Sequence, residues 1–253
     1  MLAQWKLALL GAAPALVAMA IVDRMDAKRP EPPRTLRLVA LAGALSAIPV
    51  YVLGQLLGML APDLSFASGY AGVLFASFVV VAIPEEMAKL CSMVLVVWSR
   101  PEFDERMDGI VYGARAGLGF ALVENVTYLA LVPIDLSEAV ALFIGRALLA
   151  VPGHAVWGGL MGYYAARRKF DRAGPGMLGG YALAVALHGL YDVLLFAVPH
   201  LIADGHTWLG LGVAGIPVVA YIAPAVTVTL GALLLRRLSH QAIARDDATS
   251  SAV

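Results

Sequence analysis

The chain alternates long apolar runs with short polar connections. A bilayer core of about 30 Å takes roughly 20 mostly apolar helical residues. Seven stretches meet that length, at about 5–22, 37–60, 70–98, 108–131, 138–166, 176–198 and 208–235. The pattern predicts an all-α fold, a polytopic transmembrane helix bundle of about seven spans. One domain is expected over residues 1–238, and the polar segment 239–253 reads as a disordered cytoplasmic tail.

Composition agrees with that reading. Of 253 residues, 60% are hydrophobic and 14% charged, against about half and a quarter in soluble domains. A net charge of zero offers no bulk attraction for nucleic acid, so none is expected as a partner. Cys91 is the single cysteine, which excludes an intrachain disulfide or a cysteine-based zinc site.

Charge placement predicts the orientation. The first connection carries Arg24, Lys28, Arg29 and Arg34, the third Arg100 and Arg106, and the fifth Arg167, Arg168, Lys169 and Arg172. The second, fourth and sixth carry no Lys or Arg, while Arg236, Arg237 and Arg245 follow the last run. The positive-inside rule then sets the N-terminus outside and the C-terminus in the cytoplasm. The first run, with Lys6 and Ala18-Met19-Ala20, has features of a signal peptide. Cleavage would export the basic connection that follows, so it is read as a retained helix.

Ionisable groups at bilayer depth are costly and usually mark function. Four consecutive runs hold them: Glu85, Glu86 and Lys89; Arg115 and Glu124 beside Asn125; Arg146 and His154; His188 and Asp192. Helical spacing continues them from ridges of small residues: Gly109, Gly113, Gly117 and Ala121 towards Asn125; Ala150, His154, Gly158 and Gly162; Gly180, Ala184, His188 and Asp192. Such ridges are where membrane helices approach closely, so these groups should face the bundle interior. Glu85 can pair with Lys89 and His188 with Asp192, each four residues apart, whereas adjacent Glu85 and Glu86 diverge by about 100° and should not aim at one atom. Arg115 should pair with Asp108 or snorkel, and Arg146 should pair inward or snorkel. Pro84 and Pro152 free the carbonyls of Val80 and Leu148, breaks tolerated where buried or facing water. On physical grounds alone the cluster suits a hydrolase or a proton-coupled transporter or channel equally well.

Motifs divide these readings. HExxH, GxSxG and GxGD are absent, so three intramembrane protease classes lack their signatures. The ordered set Glu85-Glu86-Met87-Ala88-Lys89, Asp108-Gly109 leading to Phe120-Ala121-Leu122-Val123-Glu124-Asn125, His154, and His188-Gly189-Leu190-Tyr191-Asp192 resembles the PrsW family of glutamic-type intramembrane proteases. That family is related to the prenyl-protein and bacteriocin-processing proteases. Arg29-Pro30-Glu31-Pro32 is similar to the family's first cytoplasmic loop, and the resemblance spans roughly residues 20–195.

The resemblance implies an intramembrane endopeptidase of the bacterial cell membrane, cutting a transmembrane protein substrate such as an anti-sigma factor, with its catalytic helices at about 70–198. It implies Glu85, Glu86, Glu124, His154 and His188 as catalytic, supported by Lys89, Asn125, Asp192 and Arg146. Glu85 or Glu86 would activate water, and His188, His154 or Asn125 would stabilise the oxyanion and protonate the leaving amine. Prenyl-processing relatives carry His where this chain has Glu124, so His154 can supply that imidazole. The expected cofactor is none. The alternative is zinc held by Glu85, Glu124, His154, His188 and Asp192.

Overall fold

A computed structural model describes residues 4–131, 136–213 and 216–251. Ten α-helices account for most of it: α1 (Gln4–Asp23), α2 (Pro33–Leu60), α3 (Gly69–Phe75), α4 (Ile83–Val97), α5 (Arg106–Val126), α6 (Leu136–Gly145), α7 (Val151–Asp171), α8 (Gly176–Phe196), α9 (Val198–Ala203) and α10 (Val219–Ser250). Gly212–Val213 and Ile216–Pro217 add a two-residue antiparallel ladder. The last apolar run therefore starts its helix at Val219, not near residue 208.

Six helical rods are long and apolar enough to cross a membrane. The expected span at 108–131 corresponds to α5, which is not among those six and carries Arg106, Asp108, Arg115 and Glu124 spread along its length. It can hold those charges because it lies centrally, packed on α1, α2 and α7. The outer helices are built the other way round. On α2, Val39, Gly43 and Ala47 are buried while Leu41, Leu45, Ile48, Val52 and Leu56 are exposed. Small residues inward and large aliphatic residues outward suit a solvent as apolar as the side chains themselves.

The small-residue ridges lock α5 between its neighbours. A Cβ at Gly113 would overlap the Gly158 carbonyl, and one at Gly117 would overlap the His154 carbonyl. On another face of α5, Gly119 meets the Ala40 carbonyl of α2 in the same way. Backbone contact at these points fixes the height of His154 relative to the acidic end of α5.

Three wide π-helical turns interrupt the rods, at Ala76–Ala82, Thr127–Leu131 and Arg146–Ala150. The first and third end just before Ile83-Pro84 and Val151-Pro152, and they contain Val80 and Leu148, whose carbonyls the prolines free.

The basic connections gather at one end. Arg29 bonds Asp247, Arg106 bonds Asp171 and Asp246, and Lys169 donates to the carbonyls of Trp98 and Phe103. At the other end Tyr70 donates to Asp204 at 2.7 Å and His200 meets the Phe66 carbonyl at 2.8 Å. Two expectations are corrected here. Segment 239–250 is helical, because Asp246 is buried and accepts the first backbone N–H groups of α5, Arg106 and Met107, as a cap supplied from a distant helix. Arg115 pairs with Asp23 on α1 at 2.8 Å instead of Asp108, which is turned back onto its own helix start.

Candidate functional site

The site begins where the π turn at Ala76–Ala82 gives way to α4. Restarting the helix at Ile83-Pro84 turns Glu85, Glu86 and Lys89 into the bundle, where all three are buried. Lys89 is the hub. Its ammonium donates to Glu86 Oε1 at 2.7 Å and to Glu85 Oε2 at 3.2 Å. The two adjacent glutamates thus converge on one atom after all. Positions three and four before a lysine straddle its side chain, and the flexible ammonium closes the 100° divergence.

Lys89 also meets His154 Nδ1 at 2.7 Å. An ammonium only donates, so Nδ1 accepts and the imidazole proton sits on Nε2. That nitrogen faces Glu124 Oε2 at 2.8 Å. Arg146 lies across the same carboxylate, with Nη2 at 2.7 Å from Oε2, and its Nε donates to Asn125 Oδ1 at 2.5 Å. Both His154 nitrogens are therefore committed, and Arg146 points inward.

His188 differs in having a nitrogen to spare. Its Nδ1 bonds Glu86 Oε1 at 2.8 Å, and its Nε2 faces Asp192 Oδ2 at 3.7 Å, beyond hydrogen-bond range. The carboxylate on Nδ1 fixes the orientation of the ring. Trp157 stacks on His188 with centroids 4.2 Å apart, and the Lys89 ammonium lies 4.6 Å over Phe120. Sequence reasoning missed these aromatic walls. Trp157 stands three residues after His154, and that helical spacing was the available signal.

All nine expected site residues come together, on α4, α5, α7, α8 and the turn before α7. Four carboxylates, Glu85, Glu86, Glu124 and Asp192, face two fixed cations, Lys89 and Arg146. The surplus negative charge in a poor dielectric calls for protons or a further cation. Glu86 Oε2 and Asp192 Oδ2 are buried without a hydrogen bond. Ligand atoms of Glu85, Glu124 and His154 lie within 4.8 Å of one another, and so do those of Glu85, Glu86 and His188. Carboxylate and imidazole donors in such groups fit an ion of the zinc type, with Lys89 competing for the same atoms.

A groove of about 640 Å³ reaches the site from the side, between α2, the Ala76–Ala82 turn and α5. Tyr51, Val80, Phe120, Val123 and Tyr128 line it, and among the described residues its charged groups are Glu85 and Glu124. The rim residues Ile48, Tyr51 and Val52 are more than half exposed on the outer face of α2. Glu86, by contrast, is fully buried behind Glu85.

The family model described as "PrsW family intramembrane metalloprotease" matches residues 31–241. Protease PrsW of Geobacillus kaustophilus is 33% identical over 189 residues, covering 74% of this chain and 78% of the relative. Protease PrsW of Clostridioides difficile is 29% identical over 193 residues, with the same two coverages. Protease PrsW of Bacillus subtilis is 38% identical over 130 residues, 50% of this chain and 57% of the relative. No solved structure matches. The family's description as a metalloprotease fits the zinc alternative and does not support the expectation of no cofactor.

Proposed function

The chain belongs to the PrsW family of intramembrane proteases and is a peptidase of a bacterial membrane; from that premise we propose that it hydrolyses a peptide bond in or near the membrane segment of a protein substrate, using water activated at Glu85. Family membership decides between the peptidase and transporter readings. The observation that carries the proposal is the side groove, apolar along its walls and acidic only at Glu85 and Glu124. An unwound apolar segment leaving lipid would fit those walls, and its backbone would meet the two carboxylates.

The roles divide by exposure and partners. Glu85, on the groove, takes the proton from water attacking the scissile carbonyl. Glu86, buried behind it, positions Lys89 and the His188 ring. The proton that Glu85 takes from water is returned to the leaving amine, directly or relayed through His188 Nε2, the uncommitted nitrogen, which accepts it from Glu85 and passes it on. Arg146 and His154 hold Glu124, and Asn125 is held by Arg146. Metal dependence is the second reading, favoured by the donor groups and the charge surplus. Glu85, Glu124 and His154 would hold the ion, which would supply a low-pKa bound water and Lewis acidity.

The cytoplasmic side is assigned to the basic end, with the C-terminus inside and the N-terminus outside, following the positive-inside rule. Within the substrate class, membrane-bound regulators of the anti-sigma kind are those the resemblance suggests. The deciding measurement is cleavage of a membrane-tethered reporter by the purified protein in proteoliposomes. Glu85→Gln is expected to lower the rate by about 10²–10⁴-fold; full activity in the Glu85→Gln, Glu86→Gln double variant overturns the assignment. Chelation followed by zinc return tests the second reading, which requires loss and recovery of activity.

A further inference from the structure

A second buried acidic cluster lies at the basic end of the bundle, outside the peptidase site. Asp26 ends the short 3-10 turn after α1, Glu31 sits in the connection before α2, and Asp108 is in the first turn of α5. Their exposures are 4%, 9% and 0%. One oxygen from each lies within 4.8 Å of the other two. Three carboxylates withdrawn from water this closely repel one another unless something positive lies between them.

The protein's own groups satisfy only part of the cluster. Asp108 Oδ2 accepts the backbone N–H groups of Asp104 and Glu105 at 2.9 and 2.8 Å, and the Tyr112 hydroxyl donates to Glu31. Asp108 Oδ1 and Asp26 Oδ2 are buried with no donor of the protein's own. Asp108 lies against Glu31 and Asp26 against Glu105, acid facing acid, with the Arg29 backbone N–H also on Asp26. The nearby guanidinium groups make their direct ion pairs outside the cluster, although Arg29 also attracts Asp26 electrostatically and Arg37, on the cavity wall, donates to the Pro33 carbonyl. Arg29 bonds Glu105 at 2.5 Å and Asp247 at 3.0 Å, Arg115 bonds Asp23, and Arg106 bonds Asp171 and Asp246. Burial pushes the Glu31 carboxyl above its ordinary range. A cavity of about 530 Å³, lined by Asp23, Asp26, Glu31, Arg37 and Arg115 among others, reaches Asp26 and Glu31 from the surface, with Asp108 behind them.

We propose that Asp26, Glu31 and Asp108 form a binding site for a hard divalent cation, Ca²⁺ or Mg²⁺, that ties the first connection to the start of α5. The donors are all oxygen, with no His or Cys, which selects hard ions over zinc. Ca²⁺ takes ligands at about 2.3–2.6 Å, so it bridges oxygens up to about 5 Å apart, and the cavity leaves room for water to complete its shell. Mg²⁺, at about 2.0–2.1 Å, needs a slightly tighter triangle and keeps more water. The unpartnered oxygens of Asp26 and Asp108 become ligands. The site does not depend on the peptidase reading.

The test uses the full chain in lipid nanodiscs, freed of metal by chelation and titrated with CaCl₂ or MgCl₂ at constant ionic strength. The expected result is a saturable rise in Tm of at least about 3 °C, half-complete below about 1 mM, with one bound ion per chain by metal analysis. Asp26→Asn and Asp108→Asn are expected to remove both the shift and the ion, and to raise the metal-free Tm by relieving repulsion. Glu85→Gln is expected to keep the shift, which separates this site from any ion at the peptidase centre. No saturable shift with either ion, or an undiminished shift in Asp26→Asn, overturns the proposal. Charge relief by protons shared among the carboxyls gives the first of those results.

Discussion

The molecule buries two groups of carboxylates, one midway along the bundle and one at its basic end, and they solve the same electrostatic problem differently. In the middle, Lys89 and Arg146 are built in among the acids, and every imidazole is aimed by a named partner. At the basic end Asp26, Glu31 and Asp108 share a tyrosine hydroxyl and backbone amides, while Arg29 and Arg115 make their ion pairs with other acids. Fixed cations suit a site that must keep one geometry while a substrate comes and goes. An open deficit suits a place where the missing charge comes from solution. Buried acids alone therefore do not locate chemistry; what counts is what neutralises them and whether a groove reaches them.

The contrast breaks most sharply in the middle. Lys89→Met leaves Glu85 and Glu86 facing each other without their shared cation, and removing one partner of a buried pair costs about 3–5 kcal/mol. Thermal unfolding in nanodiscs should show that loss together with abolished cleavage. Asn at either end separates the two clusters further. Glu86→Gln keeps the shape but loses a charged acceptor for Lys89 and His188, so cleavage should fall at least tenfold and the pH profile should move; an unchanged profile would remove its positioning role.

Smaller effects are expected at the basic end. Asp246→Ala strips the cap from α5 and the partner from Arg106, an expected loss of about 1–2 kcal/mol read from the unfolding midpoint. The smallest effect is a pH dependence. Burial, aided by Asp246 and Asp26 and opposed by Arg29, pushes the Glu105 carboxyl up to about 7. Because that is above the unfolded value of 4.5, the stability it contributes is present below pH 4.5 and lost as pH rises to about 7. Metal-free protein should melt at a lower temperature at pH 8 than at pH 5, and Asp26→Asn should flatten the difference.

Much of the candidate site's clustering could be read from sequence because an ionisable residue inside an apolar run is conspicuous. Glu85, Glu124, His154 and His188 each stand against a background that exposes them, and the glycine ridges said which way they face. The basic-end cluster offers no such contrast. Asp26, Glu31 and Asp108 lie beside connections where acids are ordinary, and only folding brings three distant stretches together. The same blindness hid the Arg115–Asp23 pair, 92 residues apart in sequence. The last segment was misread because polar composition resembles disorder until Asp246 is seen capping another helix. Helix α5, the expected span at 108–131, shows the converse: it is too charged to look like an average membrane helix, and its neighbours surround it.

The wide turn at Ala76–Ala82 also constrains how this chain can change over generations. A π turn holds about one residue more than an α turn, so the helix beyond it is rotated by about 100° relative to an uninterrupted one. The part of the rod before Ala76 and the part after Ala82 are thereby set in different phases, the second of which points Glu85 and Glu86 inward. A single-residue deletion there would only tighten the turn and leave the glutamates facing inward. A further single-residue insertion, beyond what the wide turn already absorbs, would swing them by about 100° towards lipid, although every one of them would still be present. Counting conserved acids would call such a protein intact, and its spacing would call it dead.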